Sequence, residues 1–219
     1  MTGKQNYFPP LIFKTSKTYI KETLKIYIVL GDLVPPPEDC NSMTRKSRKP
    51  RISHPVYYFI VEGCTEENYI RLLKTIYRKP GKIKNCEGGS AKNVLEEAQK
   101  LIQKNGDDCS GYVIWFDEDT YYPNDFNLKN KLTARTDTEV YVTQPCVESW
   151  LLAHFQEINL NSPIKCHEYE KALDHPDRIP NYKKSDCQLL KRYIKAQQIE
   201  TAIKHYPEIG KIPQKFKNT

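Results

Sequence analysis

The 219-residue chain lacks any run of about 18 apolar residues, so no membrane-spanning helix is expected. Its N-terminus lacks a compact apolar block followed by a small-residue cleavage site, so no signal peptide is expected and the cytoplasm is the expected location. Seven cysteines are present, but no two form a Cys-x-x-Cys pair. Their odd number and wide spacing exclude a zinc ribbon or a redox motif and leave reduced thiols. Cys166-His167, with His175 nearby, lacks the four-ligand spacing of a zinc site. Cys64 has no identifiable histidine partner that would make it a nucleophile. Gly88-Gly89-Ser90 precedes a helical pattern and resembles a phosphate-cradling turn with free backbone N–H groups. It lacks the Lys-Ser/Thr ending of a P-loop, so ATP binding is not expected. No internal repeat of fixed period is visible.

What is present is a mixed chain, 38% hydrophobic and 28% charged, as in a globular protein with polar segments. The net charge of +7 is unevenly placed. Residues 1–51 hold ten Lys or Arg against four Asp or Glu, and the rest is nearly balanced. The basic bias therefore belongs to a leader, 1–50, interrupted by Pro9-Pro10 and Pro35-Pro36-Pro37 and expected to be poorly ordered. Within it, Thr18 to Leu30 fits a helix or a strand equally. Arg45 to Arg51 suits phosphate contacts or a solvated tail.

From Val56 the pattern alternates. Val56–Val61, Lys82–Cys86, Gly111–Phe116 and Glu139–Thr143 read as strands, being short, apolar and rich in β-branched or aromatic residues. Between and after them, 66–78, 91–104 and 147–156 read as helices from apolar residues at helical spacing. Thr65 is the expected N-cap of the first, Pro80-Gly81 its stop, and Gly106 the stop of the second. Such alternation predicts an α/β fold with a mainly parallel sheet flanked by helices over 51–157. Beyond 157 the strand signal ends. Residues 165–173 and 186–205 read as helices of a C-terminal extension, 158–219.

Three acidic clusters sit where apolar runs give out: Glu62 and Glu66, Asp117-Glu118-Asp119, and Glu148. In an open parallel sheet ligands bind beyond the carboxyl ends of the strands, so one sheet would gather these groups at one edge. Hard divalent cations need such oxygen ligands. Asp117 and Asp119, two apart on an extended chain, would share a side while Glu118 points away. Singly, each has a plain alternative. Glu66 and Glu148 suit a helix N-terminus, and the Asp-x-Asp suits an acidic turn. His154, Trp115 and Trp150 read as core, and Tyr121 and Tyr122 as base-stacking residues or as cover for the sheet edge.

In combination the residues resemble a known family. Val61-Glu62-Gly63-Cys64-Thr65-Glu66 resembles the opening of Toprim domains in OLD-type nucleases, and Phe116-Asp117-Glu118-Asp119 their Asp-x-Asp strand end. Gln144 to Phe155, QPCVESWLLAHF, resembles the Asn-Pro…Glu-x-Trp-Leu-Leu-x-His-Phe segment of RloB-like proteins, stand-alone Toprim proteins of bacterial defence loci. Gln144 and Val147 depart from that pattern without removing a carboxylate. The resemblance implies a Toprim-like fold and metal-dependent phosphodiester cleavage with Mg²⁺ or Mn²⁺. It makes Glu62 a metal ligand or general acid/base, and Asp117 and Asp119 metal ligands. Glu66 and Glu148 follow as second-site ligands. Tyr182-Lys183-Lys184 resembles a downstream Tyr-x-Lys, with Lys184 stabilising charge on the phosphate. The implied partners are nucleic acid, DNA ahead of RNA, and a separate ATPase. The alternative is a non-catalytic subunit that binds nucleic acid or a partner protein.

Overall fold

Tyr57–Val61 is a short run of aromatic and β-branched residues, and it forms the central strand β1. The computed structural model describes residues 56–105, 109–161, 164–184 and 186–217. The basic leader, with its 18–30 segment, and the Gly106 stop lie outside the described residues. Three further strands follow: β2 (Gly81–Asn85), β3 (Gly111–Asp117) and β4 (Thr138–Thr143). All pair in parallel, in the order β2-β1-β3-β4. Val61 lies opposite Trp115, and Asp117 opposite Thr143.

The helices before and between the later strands are α1 (Cys64–Tyr77), α2 (Ala91–Asn105) and α3 (Phe126–Thr133). They divide between the two faces of the sheet. Phe59, Val61, Val113 and Trp115 face one side, packed with Tyr69 and Leu73 of α1. Ile60, Tyr112, Ile114 and Phe116 face the other, packed with Val94, Leu95 and Ala98 of α2 and Leu132 of α3. That period of two is what a strand covered on both faces requires. Because the chain leaves β1 for one side of the sheet and places β3 on the other, a topological switch point falls between β1 and β3. It is there that an open α/β sheet leaves a crevice at its carboxyl edge.

Five helices follow β4: α4 (Val147–Ala153), α5 (Cys166–Leu173), α6 (Cys187–Tyr193), α7 (Ala196–His205) and α8 (Pro207–Lys217). Every residue of α4 is buried. Tyr169, Leu173, Leu190, Ile199, Ile209 and Phe216 share one core with Trp115 and Trp150. Phe216 stacks on Phe59 of β1, centroids 5.1 Å apart. Each such buried side chain contributes about 1.5–3 kcal/mol, so the C-terminal helices form one wall of the sheet's core.

The single helix expected over 186–205 is two. Ile194 is extended and fully buried between them, and Gln198 restarts the helix by accepting the Lys195 N–H at 3.1 Å. Helix α8 was not foreseen, since Pro207, Gly210 and Pro213 look like breakers. Pro207 stands at the first helical position, where its missing N–H costs nothing. Gly210 meets α7 so closely that a Cβ there would sit 3.0 Å from Ile203 Cα. Thr65 is not the cap of α1, whose N-cap is Gly63. Among the described residues no helix is long and apolar enough to cross a membrane.

Candidate functional site

Glu62 leaves β1 at the switch point, and its backbone N–H still donates to Trp115 O at 3.2 Å. Its carboxylate crosses to the end of β3. Oε2 accepts from the Asp117 N–H at 3.0 Å and from Thr120 Oγ1 at 3.1 Å. Burial pushes the Glu62 carboxyl above its ordinary range. These two donors and Lys184 oppose that, and the Asp119 charge adds to it. Gly63, with φ −143, turns the chain into α1. In the first turn of α1, Glu66 folds back over this bend: its Oε2 lies 3.4 Å from where a Cβ on Gly63 would be. Glu66 is only 3% exposed. Its carboxyl is pushed up to about 7, first by burial and then by the charges of Glu62 and Glu148, against nearby backbone donors.

Asp117 closes β3. Its Oδ1 is buried without a hydrogen-bond partner. Burial, then the charges of Glu66, Glu62 and Glu148, hold its carboxyl well above the usual range, and the Val147 backbone N–H offsets part of this. Glu148 is fully buried, because α4 has no exposed face. Its Oε1 accepts from Tyr182 Oη at 3.2 Å and faces Lys184 Nζ at 3.4 Å. Its Oε2 is buried without a partner. Lys184 also pairs with Glu170 at 2.7 Å. Desolvation lowers its pKa, but the Glu170 hydrogen bond and the Glu148 charge outweigh this and raise it. Thr65 fastens the segment by donating to Lys184 O at 3.0 Å.

The structure thus brings Glu62, Glu66, Asp117 and Glu148 into mutual electrostatic contact, with Lys184 beside them. Asp119 is placed otherwise than the strand argument expects. The chain stops being extended after Asp117 and enters a 3₁₀ turn, Glu118–Thr120, so alternation no longer applies. Asp119 is exposed at the rim, its N–H on Pro145 O at 3.3 Å and its Oδ2 accepting from Cys166 Sγ at 3.2 Å. Glu118 is exposed and accepts from Gln144 Nε2 at 3.0 Å. Three neighbours were not foreseen: Thr120, Glu170 and Cys166. Thr120 carried a faint signal, a hydroxyl one residue beyond the Asp-x-Asp. Glu170 and Cys166 carried none, since α5 delivers them from far along the chain.

The discounted candidates resolve physically. His154 is buried, with Tyr69 Oη 3.0 Å from Nε2 and Trp150 O 2.9 Å from Nδ1, and burial pushes its pKa down to about 4. Trp115 and Trp150 are fully buried. The glycine turn keeps its left-handed residues, φ +84 at Gly88 and +120 at Gly89. The Gly88 N–H, however, is used on Glu62 O at 2.8 Å rather than left free.

The donor set is all oxygen, the chemistry of hard divalent cations. Two buried carboxylate oxygens lack partners, and burial and like charges resist ionisation of the cluster. A divalent cation would relieve both, so these residues fit Mg²⁺ or Mn²⁺. Among the described residues no three His, Cys, Asp or Glu side chains are already arranged to hold a metal ion. The carboxylates would therefore have to converge further on binding.

Comparison with curated proteins and with solved structures finds no match for the chain. The family model described as RloB-like protein matches residues 57–218, well over half of the sequence and all of its described helices and strands. On that match the chain belongs to the RloB-like family.

Proposed function

We propose that the protein is a metal-dependent nuclease that hydrolyses phosphodiester bonds of nucleic acid, DNA ahead of RNA, in bacterial anti-phage defence. One observation carries the reading. Four carboxylates are packed at the switch point of a parallel sheet, with two of their oxygens buried and unpartnered. A like-charged cluster of this kind is costly to fold, and carboxyl groups with pKa values raised by burial and like charge gather at functional sites. The resemblance to Toprim nucleases supports the same reading.

Glu62, Asp117 and Asp119 would hold the ion, with Glu66 and Glu148 as ligands for a second. When bound there, Mg²⁺ or Mn²⁺ supplies Lewis-acid polarisation of the phosphate and a hydroxide nucleophile near neutral pH. The chain's own residues do the rest. Asp117 N–H and Thr120 Oγ1 fix the orientation of the Glu62 carboxylate. Burial raises the Glu62 carboxyl above its ordinary range, the direction that a general acid/base requires. Lys184, held between Glu148 and Glu170, offsets negative charge on the phosphate. An ATPase on a separate chain is the further partner proposed on the OLD-type analogy.

A second reading has its own support. The carboxylates are not yet converged, which favours a non-catalytic subunit that binds nucleic acid or a partner. One experiment separates them. Linear, circular and single-stranded DNA and RNA are incubated with the full chain in Mg²⁺, Mn²⁺ or EDTA. Cleavage that needs metal and disappears in Asp117→Ala supports the nuclease. Tight binding without cleavage under every condition supports the binding subunit.

A further inference from the structure

The residues that follow the Asp-x-Asp form a second feature of the same edge. Glu118, Tyr121, Tyr122, Pro123, Phe126 and Asn127 line an open cleft of about 580 Å³. That size lies within the usual range for a ligand pocket, roughly 300–1,000 Å³. The described residues include three exposed large hydrophobic side chains, and two of them flank this cleft: Tyr122 at 60% exposed and Phe126 at 55%. Tyr121 is backed by Phe116 of β3, ring centroids 5.7 Å apart. Lys129 Nζ lies 5.2 Å from the centre of the Tyr121 ring.

The aromatic group is held in place by its backbone. Asp125 is buried and accepts the Tyr122 N–H at 3.1 Å, while its own N–H returns to Tyr122 O at 2.9 Å. The turn is therefore closed, and Tyr122 and Phe126 are presented outward on a fixed support, which lowers the ordering cost of binding. Glu118 and Asn127 add polar groups at the rim.

We infer that this cleft is a stacking site for an unpaired nucleobase, and that the substrate is single-stranded or locally unpaired nucleic acid. The inference rests on the nuclease reading only for which strand segment lies beside it. Aromatic faces accept any base, and an ammonium group over the ring attracts the phosphate that follows it. Glu118, one wall of the cleft, stands between Asp117 and Asp119 in the chain. The cleft and the carboxylate cluster therefore both lie at the carboxyl end of β3. A duplex keeps its bases stacked inside and cannot offer one to the cleft without unpairing it.

The test measures binding of the full chain to single strands of about ten nucleotides, a length within typical site sizes. It compares oligothymidylate with an abasic strand of equal length, in Ca²⁺, with DNA and RNA arms. The intact strand should bind roughly 5- to 100-fold tighter than the abasic one. Tyr122→Ala combined with Phe126→Ala should remove that preference, and Tyr122→Trp should keep it. Both residues are exposed, so the fold should tolerate the changes, and thermal melts check this. Equal binding of intact and abasic strands overturns the inference, as does a preference that survives the double variant. Either result leaves the cleft to an apolar protein partner. Cleavage by Asp117→Ala, run alongside, judges the carboxylate site independently of the stacking preference.

Discussion

Glu66→Gln isolates the cost of charge in the buried cluster. In the metal-free fold the Glu66 carboxyl is pushed from 4.5 up to about 7, by burial and by the charges of Glu62 and Glu148. At 1.36 kcal/mol for each tenfold change in proton affinity, ionising it in the fold rather than in the open chain costs up to about 3 kcal/mol. The folded pKa lies above the unfolded one, so the folded state binds the proton more tightly. The contribution of Glu66 to stability is therefore greatest below pH 4.5, falls between 4.5 and about 7, and levels above it. Glutamine has nearly the same shape and no charge to bury. In EDTA at pH 8 the variant should be more stable than wild type, by up to about 3 kcal/mol, or roughly 6–12 °C in melting temperature for a chain of this size. At pH 5 most of that gain should vanish. Adding Mn²⁺ at pH 8 should then stabilise wild type more than the variant, because the ion relieves repulsion that glutamine has already removed. Circular-dichroism melts at the two pH values read all three effects. A variant that is less stable than wild type by the same amount at pH 5 and pH 8 would refute the reasoning, since packing and not charge would then decide.

Two other substitutions test the supports. Lys184→Ala leaves Glu148 buried with Tyr182 as its remaining partner, and should cost about 1–3 kcal/mol. Adding Glu148→Gln should restore part of that loss, a coupling readable from urea titrations of both single variants and the double. Trp150→Ala removes a fully buried ring that packs against Tyr69, His154 and Tyr206, and should cost about 3–5 kcal/mol. Calorimetry showing less than about 1 kcal/mol would mean that α4 is not the keystone of this core.

The sheet was legible because its signal is local. Each strand is a short apolar run bounded by a turn, and the parallel pairing follows from the intervening helices, of 14 residues in α1 and 15 in α2. Glu62, Asp117 and Glu148 were legible for the same reason, since each stands at the end of such a run or just inside the next helix. The route of Asp119 was not legible, because strand alternation ends at Asp117 and a 3₁₀ turn carries Asp119 to the exposed rim, where its charge still acts on Glu62. The break at Ile194 was invisible because its cause is burial of that side chain, a tertiary effect, with no proline or glycine to mark it. Thr120 meets Glu62 across 58 residues and Cys166 meets Asp119 across 47, while Glu170 joins through its ion pair with Lys184, and no local pattern marks any of these contacts.

The carboxylates at the β1–β3 switch point are proposed to form one metal site. Mn²⁺ binding, followed by electron paramagnetic resonance on the full chain, tests it most directly. Wild type should bind one or two ions, and Asp117→Ala should lose at least one of them while keeping its fold. Equal Mn²⁺ binding by wild type and a folded Asp117→Ala, or none by either, would contradict the claim.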